Sequence, residues 1–226
     1  MKLNVVAINL AVCIALSLTA CGIVKPNEKA AAEKANQHGL SVVTKPRFDT
    51  TFIASTMRFE QYKKIKIDNL DLSNVKIIEP STASRIFDKP WELTDDDKRY
   101  YQERFAQSAK KSLIDSGLYA ASKDVAKDTL LLTAKVIQIA PLAPKDDFNN
   151  RPNLMDVYSE GFGRMTVSFE VYDSETNKLL LTATDERDLG KIWEKNNRAQ
   201  NKTQVRLAFD YWLNNLKIEL EHAAKR

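Results

Sequence analysis

Cysteine, histidine and glycine are all scarce in this chain: two, two and six in 226 residues. Cys13 sits inside an apolar run near the start and Cys21 just after it. From residue 22 onward there is no thiol, which excludes a cysteine nucleophile, a Cys-ligated zinc and any disulfide within the body. The histidines, His38 and His222, lie far apart, so no paired-histidine metal spacing exists. A Ser-His-Asp arrangement would have to rest on His222, and no G-x-S-x-G elbow is present. Two of the glycines fall in "EGFGRM", but Thr166 stands where a third phosphate-loop glycine belongs, and a strand pattern follows. A bulge or a close backbone approach is the better reading. Charge of one sign is also missing: 34 basic residues face 30 acidic ones. No concentrated basic face emerges, which argues against a nucleic-acid partner. No metal site or cofactor motif is evident, and no catalytic residue is assigned.

What is present begins at the N-terminus. Lys2 precedes an apolar stretch, Val5 to Leu18, broken only by Asn9 and Ser17. At about 14 residues it is short for a membrane span, which takes roughly 20. A positive start, a short apolar core and small residues at its end make a secretory signal. Leu18-Thr19-Ala20-Cys21 resembles the lipobox of bacterial lipoproteins. The resemblance implies cleavage between Ala20 and Cys21, a covalent lipid on the Cys21 sulfur, and the lipid bilayer as a partner through the acyl chains. Gly22, in place of an inner-membrane retention Asp, implies an outer-membrane anchor facing the periplasm. Residues 1–20 are then the signal peptide and 21–47 the lipidated cysteine with a flexible tether. That tether carries Pro26, Pro46 and the polar run NEKAAAEKANQ. A helix of a turn or two in it is marginal alone. About 25 residues of coil would span roughly 25–30 Å.

Residues 48–226 read as one periplasmic domain. The chain's apolar share of 43% suffices for a core, and its charged share of 28% for a soluble surface. "YKKIKIDNL" alternates with period two and predicts a strand, with Ile65 and Ile67 on one face. Val75, Ile77 and Ile78 form a second, shorter apolar patch. Thr94 followed by three aspartates predicts a helix start, and Tyr101, Phe105, Ala109 and Leu113 recur at four-residue spacing to a Gly117 cap. The three aspartates diverge around the helix and serve capping rather than a metal. A strand is expected over 129–140, with a phase change near Val136–Ile137 that signals a bulge. Met165, Val167, Phe169 and Val171 then alternate up to a turn at 173–178, followed by "LLLTATDERD", a hairpin. An EF-hand at that turn lacks its glycine and closing glutamate. Val205, Ala208, Phe209, Trp212, Leu213, Leu216 and Leu220 make one apolar stripe over a helix at 202–223.

This order predicts an α/β (α+β) fold: a two-layer sandwich, with a mixed sheet of about four to five strands and two main helices on one face. The early strand, "EGFGRMTVSFEVYDSETNKLLLTATDERD" and the closing helix with "FDYWLNNL" together resemble the domain-of-unknown-function 3313 family of Gram-negative lipoproteins. That resemblance implies a location and a fold, and no chemistry. Asp185, Glu186 and Asp188 end the second hairpin strand beside Arg187, the pattern of an ion-paired exposed edge. Phe148, Arg151, Tyr158, Phe162 and Arg164 gather aromatic and Arg character near one loop, the kind of composition a protein interface favours. They are the candidate contact with an envelope protein partner. The functional expectation is a non-catalytic binding or assembly module of the envelope. The alternatives are a hydrolase with two carboxylates in a cleft, or a carrier with an apolar cavity for a small ligand or lipid.

Overall fold

A computed structural model describes residues 26–56, 58–79, 91–142, 158–195 and 197–225. Their elements, in order, are α1 (Pro26–Gln37), β1 (Ser41–Val42), β2 (Thr50–Ile53), β3 (Lys64–Ile67), β4 (Lys76–Ile77), α2 (Asp95–Ala109), β5 (Ala120–Ala121), β6 (Thr129–Pro141), β7 (Tyr158–Glu160), β8 (Gly163–Asp173), β9 (Leu179–Asp188), β10 (Trp193–Lys195) and α3 (Arg198–Ala224). Eight strands form one mixed sheet in the order β1-β2-β9-β8-β6-β3-β5, with β4 also paired to β6. The expected four to five strands undercount it. The additions are mostly two- to four-residue strands at the edges, too short to show an alternating pattern. β3 runs parallel to β5 and β6, whereas β6, β8, β9 and β2 are antiparallel neighbours.

The centre follows the sequence pattern closely. β6 pairs β8 from Leu130–Asp173 to Pro141–Gly163, with a register shift between Val136 and Gln138 where the phase change predicted a bulge. β8 and β9 form the hairpin, and Asn177 takes a left-handed conformation in its turn. Asp173 closes that turn, its Oδ1 accepting the N–H groups of Glu175 (3.0 Å) and Thr176 (2.8 Å). Its Oδ2 accepts the Tyr62 hydroxyl at 2.7 Å.

Side chains of β8 alternate between two faces. Val167, Phe169 and Val171 are fully buried, with Ala183 and Leu181 beside them on β9. α3 covers this face, because the Trp212 indole N–H donates to Asp185 Oδ2 at 2.7 Å, and Asp185 stands opposite Val167. Every residue of the predicted α3 stripe is buried. α2 packs on α3, and Phe209 lies edge-on to Tyr101, Phe105 and Trp212. Thr94 caps α2 in a reciprocal box with Asp97. The last turns of that helix widen into a π-helix over Lys110–Ile114 before Gly117 turns the chain at φ 79°.

Residues 26–47, expected to be a flexible tether, are instead packed on the domain. α1 lies against β9 and β2 on the face opposite α3. Its less exposed positions Asn27, Glu28, Ala31, Ala32, Lys34 and Ala35 recur at helical spacing, so it is laid down along its length. Lys34 reaches β8, pairing with Glu170 at 2.7 Å and donating to the Tyr172 hydroxyl. Gly39, at φ 65°, lets the Leu40 N–H return to the Ala35 carbonyl and close the helix. Ser41 then enters β1 opposite Ile53. α1 therefore ends at the hairpin-turn end of the sheet, and its first turn points toward the end where β2 begins and β9 finishes. Further on, Arg47 is pinned to α3: its N–H donates to Glu219 Oε1 at 2.7 Å and its carbonyl accepts from Asn215. A weakly amphipathic, alanine-rich helix carries too little local signal to reveal such docking. Tertiary contacts supply it.

Candidate functional site

At the end of the sheet away from the hairpin turn, the chain crosses itself twice at close quarters. Gly163, at φ 112°, brings its backbone so near β6 that a Cβ there would lie 2.1 Å from the Ala140 carbonyl oxygen. At Gly161, φ 75°, a Cβ would lie 2.3 Å from the Gly190 carbonyl oxygen. The close-approach reading of "EGFG" thus holds at both glycines. Phe162 between them is 3% exposed, and its N–H donates to Leu189 O at 2.7 Å. Leu189 N–H donates in turn to Gly163 O at 2.7 Å, and Gly161 N–H to Ile192 O at 3.1 Å.

This knot carries a second, two-stranded sheet. β7 and β10 are antiparallel, with Trp193 opposite Glu160, Glu194 opposite Ser159 and Lys195 opposite Tyr158. One face packs inward through Ser159, which is buried and donates its hydroxyl to Gly161 O. Alternation places Tyr158, Glu160, Trp193 and Lys195 together on the outward face. Tyr158 is 55% exposed and Trp193 71%, with Ile192 (74%) leading into the ribbon and Leu142 (51%) just past the end of β6. Leu142 N–H reaches Phe162 O, which ties it to the same knot. Four large apolar side chains thus project from one buttressed corner, while the core residues beneath are closed. Lys191 and Arg198 flank it, the former 3.9 Å from Asp188 and the latter 3.5 Å from Asp96.

The structure divides the predicted contact residues. Tyr158 lies on the exposed ribbon. Arg164 is half-exposed on β8 and pairs with Glu186 at 3.2 Å. Phe162 does not belong to a surface: its ring is buried, because the chain between two crossing glycines must turn its side chain inward. Phe148, Arg151, Ala20 and Cys21 lie outside the described residues. Trp193, Ile192 and Leu142 were missed. The only signal for the first two was a Trp beside an Ile in "GKIWEK", a stretch without periodicity.

The acidic end of β9 also needs correction. Glu186 is ion-paired as expected, but Asp185 is buried beneath α3. Its carboxylate accepts the Asp49 N–H at 2.9 Å as well as the Trp212 indole. Burial raises its pKa above the ordinary carboxylate value. Those two donors pull the other way, and the neighbouring Asp49 carboxylate adds to the rise. Glu170, beneath α1, is held below its usual value: burial opposes this, but the Lys34 ammonium and the Tyr172 hydroxyl outweigh it. Both carboxylates brace one element against another. Among the described residues, no group of three or more His, Cys, Asp or Glu side chains could hold a metal, and no helix is long and apolar enough to cross a membrane. His38 and His222 are both exposed.

No curated protein matches the sequence. Solved structures similar in fold include the PelC dodecamer from Paraburkholderia phytofirmans, at 10% identity and a TM-score of 0.38, covering 78% of this chain and 96% of that one. A Xanthomonas campestris protein of the family model DUF330 aligns at 8% identity and TM-score 0.41, over 82% of this chain and 94% of its own. A putative neuraminyllactose-binding hemagglutinin homolog from Helicobacter pylori aligns at 11% and 0.40, over 76% and 92%. The family model described as "Protein of unknown function (DUF3313)" matches residues 33–216, most of the chain and all of its central sheet. The chain belongs to the DUF3313 family.

Proposed function

We propose that this protein is a lipid-anchored, non-catalytic binding module of the bacterial envelope, held at the periplasmic face of the outer membrane by acyl chains on Cys21. The observation that carries this is the run Leu18-Thr19-Ala20-Cys21 placed directly after a short apolar stretch, with Gly22 next. Two chains on one sulfur already give stable anchoring, since each buried CH₂ contributes about 0.8 kcal/mol. The sheet and the α2–α3 pair form a two-layer core that serves as a rigid body, and Arg164, exposed on β8, remains as the contact for an envelope protein. The carboxylates argue for this reading over a hydrolase. Asp185 holds α3, Glu170 holds α1, and Glu186 is tied to Arg164, so these three serve the packing of the domain rather than an acid–base pair in a cleft.

Metabolic labelling with a tagged fatty acid tests the anchor. The native protein should take up label, and Cys21→Ser should lose it. Equal labelling of both would overturn the anchor. Crosslinking in intact cells tests the module: a specific protein adduct is expected. Turnover of a wall-derived substrate by the purified protein, with no adduct in cells, would sink it.

A further inference from the structure

The geometry points to the β7–β10 corner as a second membrane contact: Trp193, Ile192, Tyr158 and Leu142 seat in the headgroup region of the same bilayer that holds the acylated Cys21, fixing the domain's orientation. This rests on the anchoring proposed above and adds to it a surface, an occupant and a pose.

Three observations converge. The first is the leash. Only residues 22–25 separate Cys21 from the first turn of α1, so that turn lies within about 18 Å of the lipidated sulfur even with the chain fully extended. A domain on so short a leash must present some part of itself to lipid. The second is direction. α1 lies along β9 and β2 and ends at the hairpin-turn end of the sheet, so its first turn lies toward the opposite end, the end that carries the β7–β10 ribbon. The third is chemistry. Trp and Tyr prefer the membrane–water interface, where an apolar ring and a polar tip are both satisfied. Here one of each stands on the outward face of a ribbon that also carries Glu160 and Lys195, with Ile192 and Leu142 beside them and Lys191 and Arg198, paired to Asp188 and Asp96, around them. Basic groups at that height meet lipid phosphates, each contributing about 1 kcal/mol near an anionic surface. The glycine crossings beneath make the ribbon a stiff wedge, so little ordering is needed on contact.

Tryptophan emission reads this directly. Trp212 is fully buried and Trp91 nearly so, which leaves Trp193 as the one exposed indole among the described residues. The full-length protein, with its Cys21 modification checked by intact mass, is reconstituted into phosphatidylethanolamine–phosphatidylglycerol vesicles containing brominated phosphatidylglycerol, a short-range quencher. We expect lipid-dependent quenching, with most of it lost in Trp193→Phe and a clear fraction lost in the double variant Lys191→Gln, Lys195→Gln. Acylated protein whose emission is untouched by bromine would overturn the contact while leaving the anchor standing. A blue shift that follows protein concentration and ignores bromine would assign the corner to a second copy of the chain, and also overturn it. A bare thiol at Cys21 would overturn the anchor, and the leash argument with it.

Discussion

Replacing Trp212 by Phe separates packing from hydrogen bonding at the centre of the fold. The indole is fully buried on α3, edge-on to Phe209, and its N–H donates to Asp185 Oδ2 at 2.7 Å. Phenylalanine keeps a ring in the site but removes the donor and leaves roughly 40 Å³ unfilled, which costs about 1 kcal/mol at ~24 cal/mol per Å³. Loss of a hydrogen bond to a charged group adds about 1.5–3 kcal/mol. The expected total near neutral pH is therefore about 2.5–4 kcal/mol, measured by urea unfolding of the detergent-solubilised full-length protein and followed by far-UV circular dichroism. The pH dependence is the sharper signature. The folded-state pKa of Asp185 is raised, so its contribution to stability is fully present below the unfolded value and is lost as pH rises through the folded one. Removing the indole donor raises that pKa further, because the donor favours the charged form. The gap between the two proteins should then narrow as the pH falls and Asp185 takes up its proton, leaving about 1–2 kcal/mol of packing and neutral hydrogen bonding. A loss under about 1 kcal/mol, or one that does not change between neutral and acid pH, would refute the buried Trp212–Asp185 bond.

Gly163→Ala should cost more than about 2 kcal/mol, since the new Cβ meets the backbone oxygen of Ala140 at a φ that L residues avoid. Gly117→Ala, at φ 79° but with nothing within 4 Å, should cost only about 1 kcal/mol; equal losses in thermal melts would contradict the crossing at Gly163. Lys34→Met should raise amide exchange in α1 while leaving β6, β8 and β9 protected. The global loss should stay near or under about 1 kcal/mol, because the lysine is over a third exposed; uniform exchange across the protein would argue against α1 as a separately docked element. Asp173 is held below its usual pKa. Burial opposes this, but the backbone N–H groups of Thr176 and Glu175 and the Tyr62 hydroxyl outweigh it. Its contribution is present above the unfolded pKa and is lost as pH falls through the folded one, so Asp173→Asn should unfold with a shallower acid dependence than the native protein; an unchanged slope would assign the acid sensitivity elsewhere.

The sheet's centre and α3 were legible because their signals are long and redundant. Seven stripe positions in α3 and four alternating apolar positions in β8 each point to one face, and the phase change at Val136 announced the bulge. Thr94 and Gly117 bounded α2 by local hydrogen-bonding chemistry that needs no tertiary context. What stayed hidden was non-local. β2 is four residues long and exists as a strand only because β9 receives it. α1 has an alanine-rich face whose docking depends on Lys34 finding Glu170, a residue far along the chain. The surface corner was half visible. Tyr158 was identified from its loop, but Phe162 was assigned to the surface because composition cannot show that flanking glycines turn a ring inward. Trp193 escaped because a three-residue strand in a polar stretch has no period to read.

The pairing of β2 with β9 has a consequence for biogenesis. A chain is made N-terminus first, so the strand holding Thr50 leaves the ribosome long before the strand holding Thr184, its ladder partner. Until the later hairpin has been made, the early segment carries Phe48, Phe52 and Ile53 with nowhere to bury them. Such an order of arrival favours an escort that shields nascent apolar segments, and it makes closure of this edge a late event in maturation.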